Sequence, residues 1–208
     1  TKNASVQNIG FLTEVDLSKH VKIKAAYNGY YTAGSTAASR ATASKSLGWS
    51  FETPTKMAAD YESTADHEGT VVMATNGDYF NMGTGEPLGY LIMEGNQIKT
   101  TGEPYFAILN NGTAVIRAAG SDCSDVKEAI SGPFLIAKDG QYTWECSTDT
   151  SVMPRNSIGI RADGSVVLFL NDGRQAPKSL GMTLKECASV MLDAGCVDVL
   201  YLDGGGSA

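Results

Sequence analysis

The sequence predicts an α+β domain: a mixed, largely antiparallel β-sheet core carrying a few packed helices. Three observations predict it. Short apolar runs of strand length dominate the chain, hairpin-type turns recur between them, and one capped amphipathic helix joins two strands near the C-terminus.

Taken in order, the first strand signal is Ile9 to Val15, and the second, Val21 to Tyr27, opens with apolar and polar residues alternating. Residues 28–46 are rich in Gly, Ser, Thr and Ala and read as a long surface loop or weakly structured excursion. A short helix is expected from Pro54 to Tyr61, with Thr53 as N-cap and proline in the first helical position. Thr70 to Ala74 is a short apolar run without alternation, which predicts a strand buried on both faces. Tyr90–Met93, Tyr105–Leu109 and Ala114–Arg117 follow as strands, the last two separated by the hairpin signal Asn110-Asn111-Gly112. Gly132 to Ile136 turns at Lys138-Asp139-Gly140 and resumes near residues 141–144, and Ser157–Ile160 pairs with Val166–Leu170 across Ala162-Asp163-Gly164. The helix from Thr183 to Ala194 is marked by a capping box, Thr183 with Glu186, and by the stripe Leu184, Ala188, Met191 and Leu192. Gly195 stops it, and a final strand runs from Val197 to Leu202. No internal repeat or linker divides the chain, so residues 1–208 read as one domain.

Composition narrows the function classes. The 208 residues include 16 Lys and Arg against 23 Asp and Glu, a net charge of −7, which disfavours nucleic acid or an anionic membrane surface as partner. No apolar stretch approaches the roughly 20 residues of a membrane span. Thr1 to Ser5 carry no apolar signal core, so any export signal is expected to have been removed or to lie outside this sequence. The ending Gly206-Ser207-Ala208, directly after a glycine run, leads to the expectation that more polypeptide follows. Cys123, Cys146, Cys187 and Cys196 contain no C-x-x-C pair, which argues against a structural zinc site. Two disulfides, with nearness in sequence favouring Cys123–Cys146 and Cys187–Cys196, and four reduced buried thiols are both open. His20 and His67 sit in polar stretches and read as solvated surface residues.

Three polar clusters stand at the ends of apolar strands: Asn76-Gly77-Asp78-Tyr79-Phe80-Asn81, Asn171-Asp172-Gly173-Arg174, and Asp203-Gly204-Gly205-Gly206-Ser207. Strand ends are where a rigid scaffold presents functional groups. Taken alone, Asn76-Gly77-Asp78 and Asp172-Gly173 are ordinary turn sequences. Three successive glycines are harder to dismiss, because each costs roughly 0.5–1 kcal/mol of backbone entropy relative to Ala and a plain turn needs one or two.

These clusters, together with Gly132-Pro133, Pro154-Arg155-Asn156-Ser157-Ile158-Gly159, Gly181-Met182-Thr183-Leu184-Lys185-Glu186 and Leu202 to Ala208, resemble in order and spacing the phosphodiester glycosidase family. The resemblance runs from about Phe11 to the end. It implies an extracytoplasmic, secreted or cell-envelope hydrolase acting between an anomeric carbon and a phosphodiester, with GlcNAc-1-phosphate linkages favoured, or on a related glycan linkage between sugars as in bacterial relatives. It also implies further strands after the glycine run, so the domain is expected to lack its C-terminal strands and to associate with a C-terminal fragment of its own chain.

Anomeric hydrolysis usually recruits a pair of carboxylates. Asp203 and Asp172 are expected as nucleophile or base, and Asp78 as the third carboxylate, holding sugar hydroxyls with Asn76. Arg155 and Arg174 are the phosphate partners, since a guanidinium engages two oxygens at once; Arg155 pairing with an acidic neighbour to hold two loops is the alternative. Gly204, Gly205, Gly206 and Ser207 are candidates for a backbone anion nest, with a positional need for glycine as the competing view. Tyr79 and Phe80 are candidate sugar platforms, one of them expected in the core. No cofactor is implied. Ca²⁺ is the one metal the Asp cluster would suit, although no D-x-D-x-D-G loop is present. A carbohydrate-binding or cell-envelope module without turnover is the competing class; three Asp and two Arg at strand ends argue against it.

Overall fold

The computed structural model describes residues 7–207. In chain order its strands are β1 (Gly10–Val15), β2 (Leu91–Met93), β3 (Asn96–Lys99), β4 (Tyr105–Leu109), β5 (Ala114–Arg117) and β6 (Val126–Ser131). They continue with β7 (Phe134–Lys138), β8 (Gln141–Tyr142), β9 (Arg155–Arg161), β10 (Val166–Asn171) and β11 (Cys196–Leu202). Four helices accompany them: α1 (Ala37–Ala43), α2 (Pro54–Glu62), α3 (Glu145–Thr148) and α4 (Leu184–Asp193). The largely antiparallel sheet expected from the sequence is built as two sheets. Sheet 1 has the order β1-β10-β9-β11-β7-β8 and sheet 2 the order β3-β2-β6-β4-β5, and every registered pairing in both is antiparallel.

Two-sided burial explains why β4 reads as a continuous apolar run. Phe106 and Ile108 point into the core between the sheets, against Ile158, Val166, Leu200 and Leu202 of sheet 1. Tyr105 and Ala107 alternate to the opposite face, packing with Tyr90, Ile92 and Ala129. On the outer face of sheet 1, α4 lays Leu184, Cys187, Ala188 and Met191 on Ile136, Val199 and Tyr201. The helix begins where its capping box predicts, with both reciprocal Thr183–Glu186 bonds formed, and Gly195 follows it at φ 88°. Helix α2 is likewise capped by Thr53 with Pro54 in its first turn.

Several expectations need correction. The 28–46 excursion contains α1, whose N-cap Thr36 forms a box with Ser39, so the segment is ordered by its own hydroxyls. β6 carries Lys127 and Glu128 and gave no strand signal, yet it is central in sheet 2. Among the described residues, Val21–Tyr27 and Thr70–Ala74 join neither sheet. Val72 is 89% exposed, the reverse of the two-sided burial its sequence suggested. All four cysteines are free thiols: Cys146, Cys187 and Cys196 pack on sheet 1 and Cys123 beside sheet 2, so neither disulfide pairing forms. No helix among the described residues is long and apolar enough to cross a membrane.

Candidate active site

The ladder between β11 and β9 ends at the pair Leu202 and Asn156, and the chain beyond it turns toward the 75–78 loop. The Asp203 N–H donates to the Gly77 carbonyl at 2.7 Å, and the Asn76 amide donates back to the Asp203 carbonyl. Asn156, buried on β9, locks the arrangement by donating to the Asn76 carbonyl at 2.9 Å and to its side-chain oxygen at 3.1 Å. Two of the three expected clusters are thereby tied together, with Asp78 one residue from Gly77.

The carboxylates carried by these two tied segments differ in setting. Burial raises the pKa of Asp203, opposed by the nearby Ser207 hydroxyl and Gly204 N–H. Asp78 is more deeply buried; one oxygen accepts the Gly89 N–H at 2.6 Å and the other has no hydrogen-bond partner in the protein. Burial, opposed by N–H donors and reinforced by nearby Glu103, pushes Asp78 up to about 6.

Asp172 stands apart from this pair. Its carboxylate accepts from the Gly173 N–H at 2.7 Å and from the Gln175 amide at 3.1 Å, so it closes its own turn instead of facing the other two. Arg174, in the same turn, adopts a φ of 58°, a left-handed conformation that costs a non-glycine residue of order 1 kcal/mol. Its guanidinium lies over Gly205, where an added Cβ would meet Nη2 at 3.3 Å, and no ion pair engages it among the described residues.

Arg155 takes the alternative role. Its side chain is 1% exposed and donates to the Met182 carbonyl at 2.9 Å, the Ser151 carbonyl at 2.6 Å, Asp149 and the Tyr201 hydroxyl. It holds two loops together from inside and presents no face to a ligand. The anion nest is also not formed: Gly204 N–H serves Asp203, Gly205 N–H donates to the Pro154 carbonyl at 2.9 Å, and Ser207 N–H to the Gly204 carbonyl. The positional reading holds for Gly204, because a Cβ there would stand 2.5 Å from the Tyr201 hydroxyl and 2.6 Å from the Pro154 carbonyl. Gly206 sits in open space. Tyr79 is the core member of the aromatic pair, packed edge-on against Tyr201, whereas Phe80 meets Phe51 edge-on.

Sequence reasoning missed Asn156, Tyr201 and the Gly89–Ser131 contact. A buried Asn inside an apolar strand was the available signal for the first. Ser131 accepts from the Tyr90 N–H at 2.5 Å, which fixes the loop that holds Asp78. No group of three or more His, Cys, Asp or Glu side chains that could hold a metal is formed among the described residues, so the Ca²⁺ expectation finds no ligand set there. Asn76, Gly77, Asp78, Phe80 and Asp203 also contribute to the wall of a groove of about 1070 Å³ between the sheets.

A family profile described as phosphodiester glycosidase matches residues 69–208. The mouse N-acetylglucosamine-1-phosphodiester alpha-N-acetylglucosaminidase is 28% identical over 177 residues, covering 74% of this chain and 34% of the mouse protein. The SPbeta prophage-derived uncharacterized protein YomE of Bacillus subtilis is 28% identical over 201 residues, covering 85% of this chain and 31% of YomE. This chain thus spans about a third of the length of those relatives. Among solved structures, the catalytic domain of the zebrafish N-acetylglucosamine-1-phosphodiester alpha-N-acetylglucosaminidase, auto-inhibited by its pro-peptide, superposes with a TM-score of 0.64 at 20% identity. That match covers 100% of this chain and 74% of the zebrafish chain.

Proposed function

Because this chain belongs to the phosphodiester glycosidase family, we propose that it hydrolyses the bond between the anomeric carbon of a sugar, N-acetylglucosamine or a close relative, and the oxygen of a phosphodiester. The observation that carries this reading is the joining of Asp203 to Gly77, which ties the end of β11 to the loop that carries Asp78, with the Arg174 guanidinium over Gly205. The setting it implies is extracytoplasmic.

The roles follow from the environments. Asp203, raised by burial against the opposing Ser207 hydroxyl and Gly204 N–H, faces the anomeric carbon as base or nucleophile as positive charge develops there. Asp78, whose buried carboxyl retains its proton up to about pH 6, gives that proton to the departing phosphate oxygen. Arg174 neutralises the phosphate through paired N–H donors. In the net reaction the C1–O bond breaks, the hydroxyl of water is delivered to C1, and the phosphate leaves as a monoester. Asp172 and Arg155 act at a distance, the first by shaping the turn that carries Arg174, the second by holding the start of β9 against Tyr201.

The test is sugar release from a methyl diester of GlcNAc-α-1-phosphate and from UDP-GlcNAc. Asp203→Asn and Asp78→Asn are expected to lower turnover by about 10²–10⁴-fold, and Arg174→Ala chiefly to raise KM. Near-normal turnover in Asp203→Asn would sink this assignment. Sugar binding without release across a panel of phosphodiesters and glycosides would make the chain a binding module.

A further inference from the structure

We propose that Phe51, paired with Phe80, is a specificity-determining residue: the two rings form a shelf on the groove wall for the organic group on the far side of the phosphodiester, an uncharged ring with an apolar face. Assigning the shelf to that end of the substrate rests on the hydrolytic reading.

The first observation is exposure. Phe51 is 54% exposed, and its ring meets Phe80 edge-on, with 5.7 Å between centroids and 72° between planes. Both side chains belong to the wall of the groove that also contains Asp78 and Asp203. Edge-on contact covers only one face of one ring. An uncovered aromatic face carries partial negative charge, which attracts the C–H bonds or ring edge of an apolar partner.

The second observation is how firmly Phe51 is set, although it lies in neither a helix nor a strand. The Tyr27 hydroxyl accepts from the Ser50 N–H at 2.7 Å and stands 2.7 Å from the Ser50 carbonyl and 2.9 Å from the Gly85 carbonyl. The Asn28 amide donates to the Ser50 hydroxyl at 2.9 Å and to the Phe51 carbonyl at 3.2 Å. Gly85, at φ 82°, passes so close that an added Cβ would stand 2.7 Å from the Ser50 carbonyl. A polar knot thus holds an exposed apolar ring in place before any ligand arrives, which lowers the ordering cost of binding.

The third observation is position. Phe80 follows Asp78 by two residues, which keeps their Cα atoms within about 7 Å. Asp78 serves the departing phosphate oxygen, so the shelf stands on the leaving-group side. Charge there disfavours a second anion. Lys99, the cation beside Pro87, is engaged by Glu86 at 2.8 Å and by the Pro87 carbonyl at 2.7 Å, and the residue after Phe51 is the exposed Glu52. Phe51 also lies ahead of residues 69–208, which the family profile matches. The matched stretch therefore supplies one half of the shelf and the chain before it the other.

The experiment compares sugar release from the methyl, benzyl and hexopyranosyl diesters of GlcNAc-α-1-phosphate. The bond broken joins C1 to a phosphate oxygen in all three, so rate differences report recognition of the far group. One ring-bearing diester is expected to exceed the methyl diester about tenfold in kcat/KM; whichever leads shows whether the ring is aromatic or a sugar. Phe51→Ala should bring that ratio close to one, and Phe51→Tyr should restore it. Calorimetry of the same diesters on Asp203→Asn protein, with and without Phe51→Ala, should give the same ratio in affinity. Ring-dependent binding without release by the parent protein would remove the hydrolytic reading and leave the shelf standing. Release with a ratio near one in the parent, a ratio that Phe51→Ala does not change, or a loss that Phe51→Tyr does not restore would overturn the shelf and leave hydrolysis standing. Binding of none of the diesters would overturn both.

Discussion

Asp78 is where burial and chemistry oppose each other most directly. A carboxyl whose pKa is raised on folding binds its proton more tightly in the folded protein than in the unfolded chain. Its contribution to stability is therefore present below the ordinary carboxylate range and is lost as pH rises toward and through 6. Ionising it in the folded state costs about 3 kcal/mol, from a rise of roughly two units at 1.36 kcal/mol each. Asp78→Asn keeps an acceptor for Gly89 and removes that penalty. It should be more stable than the parent by up to about 3 kcal/mol near pH 8, with the gain vanishing near pH 4. Urea denaturation at the two pH values measures it, and equal stabilities at pH 8 would mean that Asp78 is solvated. A variant that loses turnover while gaining stability would mark a group kept for its chemistry. At this scale the segments carrying Asp78 and Asp203 could be picked out as polar clusters beside glycine from order alone, and the structure ties those two segments together. It misassigned Arg155 and Asp172: whether a charged side chain turns outward or back onto its own loop depends on neighbours such as Asp149 and Gln175.

Elements were legible where local chemistry specifies them. Thr183 and Glu186 announce α4, and Thr183→Ala should cost about 1 kcal/mol by removing the cap on Glu186 N–H. Thermal unfolding checks this, and an unchanged midpoint would mean that packing alone holds the helix. Hairpins were equally clear, since Asn111-Gly112 and Asp163-Gly164 do close β4–β5 and β9–β10. β6 was hidden because its buried Glu128, raised to about 7 by burial, is balanced by Lys24 at 3.5 Å, a partner about a hundred residues distant in sequence. α1 was hidden because Ser39 occupies the position where the capping box usually has Glu or Gln. Val21–Tyr27 and Thr70–Ala74 carry strand sequences, but a strand is defined by its neighbour, and pairing is not a local property.

For the whole molecule, periodicity predicted antiparallel strands but not their division into two sheets, because β6 is needed to see that β2 and β4 belong together. The division sets thiol reactivity. Cys187 on the inner face of α4 and Cys196 at the start of β11 pack in the same layer, where burial pushes both up to about 11, and Cys146 is buried in that layer too. Cys123 is partly exposed beside sheet 2. A disulfide-exchange reagent should titrate Cys123 in the native protein and the other three only on unfolding. Fast reaction of all four would contradict the packing of α4, and fewer than four thiols in denaturant would reveal a disulfide.

The pair of strand-end carboxylates spans that division. Asp203 extends from β11 in sheet 1, and the backbone before Asp78 is tied to it through Gly77 and Asn76. The Asp78 side chain is gripped instead by Gly89, next to Tyr90, whose N–H is fixed to Ser131 of β6 in sheet 2. Asp78 is therefore a rivet through two plates, and the gap between the carboxylates gauges how the plates sit. A methylene removed at Leu200 or Phe106, in the layer between the sheets, is expected to shift that gap without altering either carboxylate. The seating of the two sheets on each other, as much as the two side chains, therefore sets where the carboxylates stand.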